Sequence, residues 1–268
     1  MSVVVDPWSA WRAHTPARIA LGRAGHALPT AEVLRIDLAH AQARDAVHAA
    51  LDVPALSAAL AGLGLATLAV ASEAPDRATY LRRPDLGRRL GGDAAARLAA
   101  ARPADAADAP DVLCVLADGL SALATQRHAV PLLQALLPRL HAAGLRTGPH
   151  VVIATQARVA LGDAIGAAGA ARAVLVLLGE RPGLSSPDSL GAYLTWAPRP
   201  GRTDAERNCV SNIRPEGQAP ADAARRLAWL CTAAARGGAT GVALKDDSDT
   251  SLDGLPAGAA PNLPHEAP

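Results

Sequence analysis

Three polar segments directly follow short apolar runs that are typical of buried strands. These segments are residues 118–121, 156–159 and 179–189. Because ligands in open α/β sheets bind beyond the carboxyl ends of the strands, these segments are the first candidates for a binding site. In the third segment Glu180 follows the apolar run directly, and Ser186 with Pro187 is typical of the first turn of a helix. An ordinary capped connection between a strand and a helix explains the same pattern.

A fourth polar segment, RNCVSNIRPEG at residues 207–217, surrounds Cys209 and is predicted to be a loop before a helix. Asn208, Ser211 and Asn212 could hold a polar ligand there through hydrogen bonds. The alternative is a surface loop around a small buried cysteine. A nucleophilic cysteine needs a base such as histidine, and none lies nearby in the sequence. We therefore predict no catalytic residue in this chain.

The eight histidines and three cysteines do not form a recognisable metal motif. Neither H-E-x-x-H nor a Cys/His pattern with zinc spacing occurs, so no metal site is predicted. A dinucleotide fingerprint is also missing, because Gly62 and Gly64 are followed by Thr67 where a third small residue is needed. Four arginines in RRPDLGRR, at residues 82–89, could bind phosphate, although such arginines more often face a polar interface or solvent.

Apolar periodicity predicts the elements that position these residues. Runs typical of strands are found at 112–117, 151–155, 174–178, 192–196 and 242–244. Helical patterns are found at 30–50, 93–102, 161–170 and 221–236. A further helical stretch extends to residue 144, with a kink or restart predicted at Pro131 and Pro138. This alternation of strands and helices predicts an α/β fold with a parallel sheet.

A stretch rich in alanine, aspartate and proline at residues 103–110 marks a predicted boundary in the chain. Residues 1–107 are predicted to form a mostly helical N-terminal region. Residues 108–245 are predicted to form a Rossmann-like parallel sheet domain. Residues 246–268 lack periodicity and are predicted to be a disordered tail.

The overall composition excludes several classes of function. The 268 residues carry a formal net charge of +1 and only 2% aromatic side chains, so neither broad attraction to nucleic acid nor base stacking is expected. No run of about 18 uncharged apolar residues occurs, so no membrane span is expected. The N-terminus lacks the pattern of a secretory signal. With three cysteines and no C-x-x-C pair, a reducing cytoplasm is the expected location.

Six segments can be compared as a set with known families, in their order along the chain. They are TPARIALGRAGHALPT, LAHAQARDAVH, DRATYLRRPDLGRRL, DVLCVLADGLSA, GERPGLSSPDSLGAYLTWAPRPG and RNCVSNIRPEG. Together they resemble the small (light) subunit of ethanolamine ammonia-lyase, from about residue 15 to residue 245. Motifs of this length in a fixed order are highly specific.

The resemblance implies a subunit of an adenosylcobalamin-dependent enzyme that converts ethanolamine to acetaldehyde and ammonia by a radical mechanism. In that family a large TIM-barrel subunit holds the substrate, and the small subunit closes over the cobalamin in a hetero-oligomer. Three cobalamin contacts carry over to this sequence: Val159 in QARVALGD, Glu180 in GERPG and Cys209 in RNCVSNI. The N-terminal region is expected to dock on the large subunit. A non-catalytic cobalamin-binding or interaction module is the alternative.

This sequence departs from the family pattern before Val159, where Thr155 and Ala157 stand in place of an Arg and a Gly. If that glycine has a positive φ, Ala157 is expected to be strained. The signature D-x-H-x-x-G, which supplies a histidine to cobalt in other enzymes, does not occur, so the resemblance implies a cofactor that keeps its own base as the lower ligand. About 14 residues precede the match. We therefore expect a cytoplasmic enzyme without the N-terminal extension that targets some relatives to a bacterial microcompartment.

Overall fold

The computed structural model describes residues 3–250 as an α/β fold built on one six-stranded sheet. The strands are β1 Ala66–Ala71, β2 Val112–Ala117, β3 His150–Thr155, β4 Ala173–Gly179, β5 Leu190–Trp196 and β6 Arg207–Ile213. Their order across the sheet is β1-β3-β2-β4-β5-β6. The first four pair in parallel, whereas β5 pairs antiparallel with β4, and β6 antiparallel with β5. The predicted α/β class is confirmed.

Seven α-helices occur within the described residues. They are α1 Thr30–His48, α2 Val53–Ala61, α3 Arg77–Arg82, α4 Ala94–Ala100, α5 Ala122–Ala142, α6 Leu161–Ala168 and α7 Pro220–Gly237. The helices predicted near 30–50, 93–102, 161–170 and 221–236 are confirmed within a few residues. α5 does not restart at Pro131 or Pro138, because its buried leucine-rich face packs against the sheet along the whole helix.

The parallel, Rossmann-like sheet predicted for residues 108–245 is only partly confirmed, because the sheet is mixed. Ten residues, 180–189, separate β4 from β5, and a parallel crossover needs about a dozen or more. Within this connection Gly183 and Ser186 exchange backbone hydrogen bonds of 3.1 and 3.2 Å, which close a tight turn. Ser186 and Pro187 therefore belong to the return between two antiparallel strands, and the helix predicted to begin there is wrong.

Two further predictions fail near the end of the described chain. Residues 207–213, predicted to be a loop, form the edge strand β6, in which Val210 and Ile213 are buried and Cys209 is exposed. The sequence of this strand lacks a continuous apolar run, because polar residues occupy the positions that no helix covers. The strand predicted at 242–244 is also wrong, since Gly241–Ala243 forms a 3₁₀ turn.

Helices on both faces of the sheet divide the core into two clusters. One cluster joins the sheet to α5 and α7 and includes Leu136 and Leu227. The other, which we call the α6-side cluster, joins the sheet to α4 and α6 and includes Leu98 and Ile165. Burying one such side chain stabilises the fold by about 1.5–3 kcal/mol. Every residue of β2 and β4 is buried, which explains why their continuous apolar runs predicted strands so clearly.

The division of the chain at residue 107 remains a prediction. β1 lies within residues 1–107 and pairs with β3, so a strand from the region predicted to be mostly helical belongs to the sheet. Of the predicted tail, residues 251–268 lie outside the described residues. Its first residue, Asp246, forms an ion pair with Arg226 of α7. Among the described helices, none has both the length and the apolar character needed to cross a membrane.

Candidate functional site

The face of the sheet that α6 covers at β4 is also buried at Thr195 and Arg207, but it opens next to them, at Tyr193 of β5 and Cys209 of β6. α6 approaches β4 so closely that a Cβ at Gly162 would lie 2.2 Å from Cγ2 of Val176. Next to Val176 in register lie Tyr193 on β5 and then Cys209 on β6. Tyr193 is half-buried, and Cys209 and Ser211 are exposed. We call the surface formed by Tyr193, Cys209 and Ser211 the open face, and it is the candidate ligand-binding surface.

Glu180 directly follows β4 at the border of the open face. Its Oε2 accepts hydrogen bonds from the hydroxyl of Ser189 and, at 3.2 Å, from the backbone N–H of Asn212. Gly191 lies against it, because a Cβ there would be 2.8 Å from Oε1 of Glu180 and 2.9 Å from Cε2 of Tyr193. The lack of a side chain at position 191 therefore provides the space in which Glu180 and Tyr193 sit side by side.

Cys209 is paired with Tyr193 across the sheet, so the two side chains lie on the same face. Partial burial of the thiol raises the pKa of Cys209, and the charge of Glu180 raises it further, whereas the side chain of Tyr193 lowers it. Because the raised pKa favours the protonated thiol at neutral pH, Cys209 suits contact and hydrogen bonding better than nucleophilic attack.

Val159 is half-buried in the loop between β3 and α6. It packs against the α6-side cluster, and so does Tyr193, which places both residues on the same side of the sheet. The strain expected at Ala157 is not found, because its φ is not positive. Instead the neighbouring Gln156 has a φ of +52°, so the left-handed conformation lies one residue earlier.

A buried ion pair connects the segments that carry Val159 and Cys209. Arg207 donates from Nη1 and Nη2 to Oδ1 and Oδ2 of Asp163 at 2.6 and 2.8 Å, and from Nη1 to the hydroxyl of Thr195 at 2.9 Å. Burial raises the pKa of Asp163, and the hydrogen bonds from Arg207 oppose that shift. Because Asp163 lies in the first turn of α6 and Arg207 begins β6, the pair fixes α6 relative to β6.

The polar segment at 118–121 supports the loop that carries Val159. Asp118 is buried and accepts the backbone N–H groups of Gln156 and Ala157 at 2.8 and 2.9 Å. Burial raises the pKa of Asp118, and these two hydrogen bonds oppose the shift. The Ser121 hydroxyl caps the N-terminus of α5. This segment therefore has a structural role, whereas Glu180 borders the open face and Cys209 is part of it.

Two of the four arginines considered as phosphate ligands contact carboxylates. Arg83 and Arg89 both donate to Asp85, and Arg89 also lies 3.1 Å from Glu73. These ion pairs favour the interpretation that the segment forms a polar surface. Within residues 3–250, no group of three or more His, Cys, Asp or Glu side chains is placed to hold a metal ion.

Three residues of the candidate site are not recognisable from the sequence as neighbours of Glu180 and Cys209. They are Ser189, Gly191 and Tyr193. The alternation in LGAYLTW does place Gly191 and Tyr193 on one face of a strand. Their proximity to Glu180, however, depends on the antiparallel return of β5, which the sequence pattern does not show.

Comparison with known proteins identifies one family over nearly the whole chain. The family model described as ethanolamine ammonia-lyase light chain matches residues 5–245. A protein named ethanolamine ammonia-lyase small subunit from Bradyrhizobium diazoefficiens is 56% identical over 239 residues, which cover 88% of this chain and 89% of that protein. Proteins of the same name from Azotobacter vinelandii and Xanthomonas campestris pv. campestris are each 53% identical, over 94% and 93% of this chain and 93% and 91% of their own lengths. The chain therefore belongs to the ethanolamine ammonia-lyase light chain family.

Proposed function

We propose that this chain is the small subunit of an adenosylcobalamin-dependent ethanolamine ammonia-lyase, which converts ethanolamine to acetaldehyde and ammonia by a radical mechanism. Relatives that match it over almost their full length carry the name small subunit. The main structural support is that Glu180 and Cys209 border one uncovered face of the sheet. Val159 packs on the same side of the sheet, although 50 residues separate it from Cys209.

The groups at the open face are of the kinds that fit a corrin ring with amide side chains. Within the described residues, both hydrogen bonds that reach Glu180 end on Oε2, so Oε1 retains its capacity to accept an N–H from a ligand. Cys209 adds an exposed, protonated thiol, and Val159 adds apolar surface. A carboxylate acceptor, a thiol and an aliphatic side chain suit a ligand that is apolar in its ring and rich in amides at its edge.

When bound, adenosylcobalamin supplies the radical chemistry through cleavage of its cobalt–carbon bond. The residues of this chain bind and orient. Glu180, held by Ser189 and Asn212, would accept a hydrogen bond from the cofactor. Val159 and Cys209 would contact the cofactor and exclude water from that contact. The catalytic residues belong to the large subunit in this proposal.

An exposed apolar surface in the N-terminal region supports docking on that large subunit. Among the described residues, ten of the twelve exposed large hydrophobic side chains lie between residues 3 and 38. We call them the N-terminal apolar surface. It includes Trp8 and Trp11, which are 64% and 56% exposed, and Leu34 and Leu38 of α1. Because exposed apolar side chains concentrated in one region are typical of interaction surfaces, we propose that this surface packs on a large TIM-barrel subunit in a hetero-oligomer.

The assembled enzyme is proposed to act in the cytoplasm. Cys114, Cys209 and Cys231 are all free, and free thiols are typical of a reducing compartment. Packaging in a bacterial microcompartment is the alternative location, and fractionation of cells that express the tagged chain separates the two.

Co-expression with an ethanolamine ammonia-lyase large subunit tests the proposed function. The purified complex should show an absorbance change from cobalt–carbon cleavage and should form acetaldehyde when adenosylcobalamin and ethanolamine are added. Neither subunit alone should turn over substrate, so turnover by this chain alone would contradict the proposal. Cobalamin binding without acetaldehyde would favour the non-catalytic binding module, and a failure of the two chains to associate would overturn the subunit assignment.

A further inference from the structure

We propose that Tyr80 is a positioning residue, which fixes the loop of residues 156–159 and so determines where Val159 meets the cofactor. The proposal rests on the function proposed above. Tyr80 lies in α3, within the segment DRATYLRRPDLGRRL, and its side chain is 0% exposed. Its hydroxyl donates a hydrogen bond of 2.9 Å to the carbonyl of Ala157, 77 residues further along the chain. Val159 follows two residues later and lies two residues before the start of α6.

The backbone of this loop is held by groups that lie outside it. Asp118 accepts the N–H groups of Gln156 and Ala157, and the carbonyl of Gly87 accepts the N–H of Arg158 at 2.8 Å. Gln156 has a φ of +52°, a left-handed conformation that side-chain-bearing residues rarely adopt. Since such a conformation persists only when its surroundings enforce it, the outside partners determine the path of the loop.

The ring of Tyr80 is held on several sides. The guanidinium carbons of Arg77 and Arg158 lie 4.8 and 4.4 Å from its centroid, which is within the range of a cation–π interaction. Arg77 also lies 3.5 Å from Asp118, so the ring and the carboxylate that holds the loop share a partner. A Cβ at Gly87 would be 2.9 Å from two ring atoms, so the turn at Gly87 closes directly on the ring.

The hydroxyl of Tyr80 is suited to act as a permanent donor. Burial raises the pKa of Tyr80, because the phenolate would lose its hydration, so the proton remains in place across the physiological range. Removing the hydroxyl leaves the carbonyl of Ala157 without this donor and allows the loop to shift. A net hydrogen bond of ordinary strength corresponds to about threefold to tenfold in an equilibrium constant.

Tyr80→Phe in the complex with the large subunit tests the proposal, because it removes the hydroxyl and keeps the ring. Adenosylcobalamin is titrated into the complex, and its Kd is compared with those of Val159→Ala and the double variant. Tyr80→Phe alone should raise the Kd about threefold to tenfold. In the Val159→Ala background, the same substitution should change the Kd by less than about twofold. A merely structural role would not produce this dependence on Val159.

Thr232→Val is the matched control, because Thr232 of α7 donates its hydroxyl to the carbonyl of Ala228 at 2.7 Å. It should lower the thermal midpoint without changing the Kd. An unchanged Kd in Tyr80→Phe, or an equal effect in both backgrounds, overturns the positioning role. An unchanged Kd in Val159→Ala also overturns the positioning role. The proposed function is overturned as well only if Glu180→Ala and Cys209→Ala likewise leave the Kd unchanged.

If Tyr80→Phe does not assemble, Arg158→Gln replaces it in the same comparison. This change removes one cation from the ring and leaves the Tyr80 hydroxyl and the backbone hydrogen bond to Gly87 in place. Its effect on the Kd should again shrink in the Val159→Ala background. Equal effects in the two backgrounds would overturn the proposal.

Discussion

Among the single residues of the site, Glu180 influences its neighbours by two different means. Its Oε2 accepts hydrogen bonds from Ser189 and Asn212, and its charge raises the pKa of the Cys209 thiol. Glutamine at this position would keep the shape of the side chain and an acceptor oxygen but would remove the charge. One substitution can therefore separate the electrostatic contact with Cys209 from the binding role of the carboxylate.

Glu180→Gln should accelerate the alkylation of Cys209 by iodoacetamide at pH 8. The charge of Glu180 raises the pKa of the thiol, so its removal lowers that pKa and increases the reactive thiolate fraction. We expect the rate, followed by peptide mass spectrometry, to rise about twofold to fivefold. Cys114 and Cys231 are buried and serve as internal controls that should stay unmodified. An unchanged or slower rate at Cys209 would show that Glu180 does not act on the thiol.

Gly191→Ala should destabilise the fold and weaken cobalamin binding together. Its Cβ would fall within 2.9 Å of both Glu180 and Tyr193, and overpacking of this kind costs about 1–3 kcal/mol. Urea unfolding measures the free energy of unfolding, and titration of the assembled complex measures the Kd. Gly237→Ala is the control, since a Cβ at that helical position meets nothing within 4 Å. If Gly191→Ala changed neither the free energy of unfolding nor the Kd, Glu180 and Tyr193 would not need to lie side by side.

Among the elements, the sequence predicts best the strands that are buried on both faces. β2, β3 and β4 appear as continuous apolar runs because helices cover both sides of the sheet there. β6 was missed because its open face carries Cys209 and Ser211, so that polar residues alternate with buried ones. Strand direction depends on pairing between distant segments, which no local pattern reports. Glu180 and Cys209 could therefore be named as candidates, whereas their contact through Tyr193 required the antiparallel arrangement.

Asp163→Asn should strongly destabilise the connection between α6 and β6. It removes the negative charge of a buried pair and leaves the exposed Asp204, 3.4 Å away, as the counter-charge of Arg207, which costs about 3–5 kcal/mol. Asp222→Asn is the control, because Asp222 and Arg225 form a half-exposed pair worth about 1 kcal/mol at most. Both values follow from urea unfolding of the purified chain. Similar losses in the two variants would show that the Asp163–Arg207 pair does not fix these elements.

For the molecule as a whole, two surfaces remain uncovered. A self-contained enzyme would be expected to bury an exposed apolar surface and to complete its own binding site. The open face, which includes Cys209 and borders Glu180, lies at one edge of the sheet, and the N-terminal apolar surface exposes tryptophan and leucine side chains. Large exposed apolar patches on proteins are often interaction sites. The two surfaces together support the proposal that this chain completes a cofactor site only when a second subunit covers it.

Trp8→Ser combined with Trp11→Ser should weaken association with the large subunit at least about tenfold, because buried tryptophans dominate the affinity of many interfaces. The thermal midpoint of the isolated chain should stay unchanged, since both side chains are more than half exposed. Val242→Ser is the matched control, because Val242 is 89% exposed but lies outside the N-terminal apolar surface. Calorimetric titration of each variant with the large subunit measures the Kd. An unchanged affinity in the tryptophan variant would show that the docking surface lies elsewhere on the chain. An equal loss of affinity in Val242→Ser would show that exposed apolar area in general, and not the N-terminal apolar surface, determines association.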